Sequence, residues 1–371
     1  MRHVRGNRNI TYIIADVITL LVTCLLFFSY YWSKDQTKYF LFSAVALSVV
    51  VFLLHIFKRN SKIPVSLILT IVSAVFYSLV FLFNIPSLII FISSLLFAFY
   101  VYDKGLDEVN IKMILVCCAL LSIHAVYMST LPASKYPYNN ALILAYENPN
   151  MTGIILSNIA IILTIGAFYF KKTSTKVMFG LLAIVMGYLV ILTDSRASIL
   201  TIIVFALLLL LYRKGKMINK KIRTLLILFP FLFIILYSVL LEIIPYDAML
   251  FNKRFFSGRE ILWQHTIRNI LADPFSIESY ESGGLNLVLT GFYQFGVVAI
   301  VSYFVFLFSM KPKFTTGNKL TYQQVAYMGF LCVFLQQAFE GTLISGSYAI
   351  YIFSYIMLGI SSIKREEVAV E

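Results

Sequence analysis

The stretch MTGIILSNIAIILTIGAFYF-KKTSTK-VMFGLLAIVMGYLVIL-TDSR-ASILTIIVFALLLLLY, residues 151–212, decides the architecture. Three apolar runs, 151–170, 177–192 and 197–212, are separated by a basic hexapeptide and by a four-residue polar turn. A helix needs about 20 apolar residues to cross the hydrocarbon core of a bilayer. Runs of that order, broken only by short polar connections, read as successive membrane helices.

Outward from this stretch the pattern repeats. Apolar runs at 10–32, 39–57, 63–83, 86–102 and 112–130 precede it, and runs at 224–245, 285–309, 323–343 and 347–363 follow it. About twelve spans are therefore expected in one all-α, polytopic domain covering residues 1–371. The weakest break is the turn Asn84-Ile85-Pro86-Ser87. Residues 1–9 are basic and the first run is long enough to remain as a span, so no cleaved leader is expected.

Composition agrees. Hydrophobic residues make up 60% of the chain and charged residues 13%, against about 45–50% and about 25% in soluble domains. Mean hydropathy is +0.87. A water-soluble enzyme, a secreted disulfide scaffold and a disordered protein are excluded. The four cysteines, Cys24, Cys117, Cys118 and Cys332, all fall inside apolar runs without metal-ligand spacing. They read as small buried hydrophobes.

The net charge is +13, and its distribution speaks for topology and against nucleic acid. Of the 30 Lys and Arg residues, 22 fall in the termini and in alternate connections on one side, and 8 on the other. The basic side is cytoplasmic by the positive-inside rule. Both termini are therefore expected in the cytoplasm of a plasma-membrane protein. The external connections 131–150 and 246–284 are then the long ones. The cytoplasmic loops carry no P-loop, which speaks against ATP-driven transport by this chain alone.

Three external segments carry polar chemistry. Residues 258–272 read as a short amphipathic helix, with Ser257 and Glu260 at capping-box spacing and Asp273-Pro274 as its stop. Trp263, Ile267, Ile270 and Leu271 form one apolar stripe, which interfacial packing on the membrane surface or against the bundle explains. Gln264, His265, Arg268 and Asn269 lie opposite. Arg259 stands in the first turn, where a cation opposes the helix dipole unless an anion offsets it. Snorkelling to lipid headgroups is the simpler account.

The second segment is Thr193-Asp194-Ser195-Arg196, either a local Asp–Arg pair or a rim arginine facing an anion. The third is Tyr146-Glu147-Asn148-Pro149-Asn150, a turn with capping potential. Arg196, Arg254, Arg259 and Arg268 with Glu147, Asp194, Glu260, Glu278 and Glu281 suit a diphosphate-bearing lipid. Guanidinium groups would neutralise the leaving diphosphate while a carboxylate or His265 takes a proton. No zinc-type His cluster and no Asp-x-Asp pair occurs, so a metal-independent reaction without a cofactor is expected.

These motifs bring a family into view. Glu147-Asn148-Pro149-Asn150-x-x-Gly153, Thr193-x-Ser195-Arg196, Ser257-Gly258-Arg259-x-x-x-Trp263, Asn286-x-x-Leu289 and Phe295-Gly296 occur in this order within residues 146–307. The set resembles the O-antigen ligase/polymerase superfamily, and within it the bacterial polysaccharide polymerases of the Wzy type. The resemblance implies a GT-C-like membrane glycosyltransferase. Such an enzyme polymerises a surface polysaccharide (capsule, O-antigen or related) by moving a growing glycan from undecaprenyl diphosphate to a new lipid-linked repeat unit. By position, Arg196 and Arg259 would bind the diphosphate. Asn150, Asp194, Arg254, Trp263, Arg268 and Asn286 would line the substrate site. Lipid-linked oligosaccharide, membrane lipids, a flippase and a chain-length regulator are the implied partners.

The family often has a His directly before the Asn that matches Asn286, and this chain has Leu285 there. That departure weakens the ligase reading and leaves the base open among Glu147, Glu281 and His265. The alternative of a different class is a transporter or flippase of lipid-linked oligosaccharide. It calls for charges inside several spans, whereas Asp16 and Glu340 both lie near span ends.

Overall fold

The computed structural model describes residues 62–363 except 83–84, 137–139, 145, 147, 215–217, 246–247, 251–252, 255–262, 265, 269–271, 273–285, 313–318 and 345–350, together with Val17, 46–47, 49–53 and 55. Most of the expected spans 10–32 and 39–57 lie outside the described residues.

The α-helices whose bounds are described are α1 (Val65–Tyr77), α2 (Ile85–Lys104), α3 (Glu108–Ser129), α4 (Pro149–Tyr169), α5 (Thr173–Leu192), α6 (Arg196–Leu211), α7 (Lys220–Ile243), α8 (Leu287–Ser309), α9 (Tyr322–Gln337) and α10 (Tyr351–Ser361). Five of them, α2, α3, α4, α5 and α8, are long and apolar enough to cross a membrane. The stretch that decided the architecture forms α4, α5 and α6, within a few residues of its apolar runs.

Local chemistry explains the helix starts. Asp107 caps α3 by accepting from Asn110 N at 3.0 Å, and Thr321 with Gln324 forms a reciprocal capping box on α9. Asn148 caps α4 with Pro149 in its first turn, where the missing N–H costs no intrahelical bond.

Helix α9 is the axis of the bundle. It is buried from Gln323 to Gln337 and packs against α4, α6, α7 and α10. Around it, α5 packs on α4, α2 on α10, and α8 on α1 and α7. The outward faces expose Val72, Ile123, Ile184, Leu210 and Val298, among other large apolar side chains. A belt of this kind suits lipid rather than water. Cys118 and Cys332 are buried, and neither they nor Cys117 form a disulfide.

The structure differs from the sequence reading in three places. The run 63–83 is not α-helical throughout, because α1 passes into a π-helical turn at Ser78–Leu82. Helix α8 is broken at Gly296, whose φ of +80° lies in the left-handed region that glycine tolerates. The Tyr77 ring of α1 occupies the space that a Cβ at Gly296 would need. Helix α9 stops at Gln337, and residues 338–344 continue as turns rather than completing a helix to 343. The all-α expectation holds, and the 246–284 connection adds only a minimal ribbon to the helices. There, Met249–Leu250 and Lys253–Arg254 pair as an antiparallel ribbon.

Candidate functional site

The ends of α4, α5, α6, α8 and α9 meet at one end of the bundle, where the middle of α7 also makes contact, and the polar motifs gather there. At the start of α4, Asn148 Oδ1 accepts from Asn150 N at 2.8 Å. Thr152 Oγ1 donates to Ile143 O at 2.7 Å, tying the incoming loop to the first helical turn. Gly153 then meets the start of α6. A Cβ there would stand 2.6 Å from Ser195 Cβ and 2.8 Å from Ser198 Oγ.

The α5–α6 turn is closed by its own hydroxyl groups. Thr193 Oγ1 donates to Val190 O at 2.7 Å and accepts from Ser195 N at 3.2 Å. Asp194 turns the chain with φ +54°, a conformation that Asp tolerates better than most residues. Ser195 and Ser198 hydroxyls bond each other at 2.9 Å. Arg196 is thereby fixed as the first residue of α6, half-buried, with the exposed Asp194 carboxylate as a charged neighbour.

The third component is the end of α9. Gln336 Nε2 donates to Ser157 Oγ of α4 at 2.6 Å. Asn150 Nδ2 donates to Glu340 Oε1 at 3.3 Å. The Gln337 amide brackets the turn beyond, donating to Thr342 Oγ1 at 2.8 Å and accepting from Leu343 N at 2.9 Å. Asn286 knots three helices. Its Oδ1 caps α8 by accepting from Val288 N at 2.7 Å, while Nδ2 donates to Pro230 O of α7 and to Ala338 O beyond α9.

Of the residues expected at the site, Asn150, Asp194, Arg196 and Asn286 thus come to one end of the bundle. Trp263 is buried against Tyr237 and Phe233 of α7, with Ile267 in the same apolar cluster. The described part of the stripe, Trp263 and Ile267, therefore packs on the bundle. Arg268 is exposed on the other side of that segment, and Arg254 lies in the ribbon. Glu147, Arg259, His265 and Glu281 lie outside the described residues.

Sequence reasoning missed the part played by Gln336, Gln337 and Glu340. The signal was present in Gln336-Gln337-Ala338-Phe339-Glu340-Gly341-Thr342, a polar cluster closing an otherwise apolar run. Beside the junction, the loop after α3 forms a cleft of about 830 Å³ lined by Thr130, Lys135, Tyr136, Asn140 and Ile143. Leu142 N donates to Leu192 O at 2.8 Å, which anchors that loop next to the α5–α6 turn.

The contact at Gly153 is testable. Gly153→Ala is expected to lower stability by about 1–3 kcal/mol, the usual range for overpacking. Ser195 Cβ belongs to a short, buried side chain and cannot swing away. Thermal unfolding of the detergent-purified protein measures it, and Gly153→Val should be worse. No family model matches the chain, and neither does any curated protein or solved structure.

Proposed function

We propose that the chain is a membrane glycosyltransferase that polymerises a bacterial surface polysaccharide from undecaprenyl-diphosphate-linked repeat units. The observation that carries the reading is the convergence of Asn148–Gly153, Thr193–Arg196 and Asn286 at one end of the bundle. These belong to three of the five motifs that resemble the polymerase family, and they stand up to 138 residues apart in sequence.

The converging end faces outward, as the Lys and Arg distribution requires. The donor's diphosphate binds at Arg196, helped by Arg259 from the 246–284 connection. A guanidinium offers paired N–H donors to two phosphate oxygens and neutralises charge as the diphosphate leaves. A hydroxyl of the incoming repeat unit attacks the anomeric carbon of the growing glycan, and the bond from that carbon to the diphosphate breaks.

The flippase alternative is disfavoured by charge placement. Every Asp, Glu, Lys and Arg in the described helices lies close to a helix end. A path for a charged headgroup through the membrane calls for partners at mid-depth.

The deciding experiment reconstitutes the purified protein in liposomes with the lipid-linked repeat unit. A ladder of lengthened lipid-linked glycans is the expected product. Movement of the unit between leaflets without lengthening would replace the polymerase reading by the flippase one.

A further inference from the structure

We propose that Glu340 is the proton acceptor of this glycosyl transfer, an inference that rests on the polymerase reading above. Glu340 is 6% exposed, and burying a charged residue in an apolar bundle is costly unless it is partnered. Its placement is therefore difficult to explain by solubility or by a solvated surface.

The surroundings hold the residue in place. Glu340 N donates to Gln336 O at 3.0 Å, and Thr342 N donates to Glu340 O at 2.8 Å. The Gln337 amide ties down Thr342 and Leu343, and Asn286 holds the Ala338 carbonyl. Three buried side chains, Gln337, Thr342 and Asn286, together with backbone bonds thus fix one turn. Rigid support of this kind is what a reacting group needs, because a small displacement removes most of the advantage of positioning.

The carboxylate is also tied to the same junction as Arg196. Asn150 donates to its Oε1 at 3.3 Å, and Gly153, one turn along α4, abuts Ser195 and Ser198 beside Arg196. Asn150 and Gly153 are three residues apart in α4 and so share one face of it, which links the turn carrying Glu340 to the turn carrying Arg196. That arrangement supplies what Leu285 cannot.

The step balances as follows. The acceptor oxygen forms a bond to the anomeric carbon, and the bond from that carbon to the phosphate oxygen breaks. The electron pair leaves with undecaprenyl diphosphate. The acceptor's hydroxyl proton passes to the Glu340 carboxylate and from there to water. Asn150 is a positioning residue that acts through Glu340.

The test uses full-length protein reconstituted with the undecaprenyl-diphosphate-linked repeat unit, reading elongation rate, donor binding and thermal unfolding together. Glu340→Gln is expected to slow elongation by about 10²–10⁴-fold, the usual cost of losing a general base, with donor binding unchanged. Turnover of Glu340→Gln within threefold of wild type overturns the assignment. If that variant is lost from the membrane, Glu340→Asp decides, since it keeps the charge but shortens the reach. Slowed elongation with intact donor binding supports the role, and a wild-type rate removes it. A wild-type protein that makes no polymer would instead remove the polymerase reading, and this inference with it.

Discussion

Arg196→Ala is expected to reduce elongation by about 10²–10³-fold, the loss typical of removing one electrostatic donor from a developing anion. The variant should remain in the membrane. Arg196 is the first residue of α6, where a positive side chain opposes the helix dipole, a penalty of about 0.3–1 kcal/mol. Asp194 beside it offsets part of that penalty. Deleting the guanidinium therefore leaves folding stability nearly unchanged, and the loss of activity separates from unfolding. Arg196→Lys keeps the charge without the planar fork and should recover only part of the rate. Full activity in Arg196→Ala removes the diphosphate role, whereas loss of the protein from the membrane assigns Arg196 to structure. Elongation measured beside membrane protein level distinguishes the three outcomes.

What could be read from the sequence follows the range of the forces involved. Hydropathy over a span is a local property, so the runs 151–170, 177–192 and 197–212 return as α4, α5 and α6 with ends displaced by only a few residues. The Asn148 cap and the tight turn at Thr193–Arg196 are also local, resting on bonds between near neighbours. The break at Gly296 gave no comparable signal. A glycine inside an apolar run is compatible with a continuous helix, and what accompanies the break is the Tyr77 ring from a distant element. The bond between Asn150 and Glu340 spans 190 residues of sequence. No spacing rule connects positions that far apart, so Glu340 appeared only as a charge near a span end. The early stop of α9 belongs to the same class, because the turns after Gln337 are held by its own side chain and by Asn286.

The second large effect concerns Asn286, which the family resemblance places among the substrate-binding residues and whose hydrogen bonds describe a structural knot. Asn286→Ala removes the α8 cap, worth about 1 kcal/mol, and two buried bonds to carbonyls, worth about 1 kcal/mol each. The total, about 3 kcal/mol, is a substantial fraction of the ~5–15 kcal/mol by which folded domains are typically stable. Asn286→Asp sharpens the test. Aspartate caps a helix as well as asparagine does, so a residue that served only as a cap would tolerate it. Here the lost Nδ2 faces the Pro230 and Ala338 carbonyls, and the substituted oxygen has no proton for either while ionised. A buried carboxylate against two carbonyl oxygens is worse than an empty space, so Asn286→Asp is expected to unfold below Asn286→Ala, and both below wild type. Thermal unfolding in detergent gives the order. Because Ala338 lies two residues before Glu340, release of its carbonyl should also loosen the turn that carries the acid residue, so elongation is expected to fall in any Asn286→Ala protein that remains folded. Wild-type stability in both variants with weakened donor binding would instead assign the Asn286 amide to the substrate.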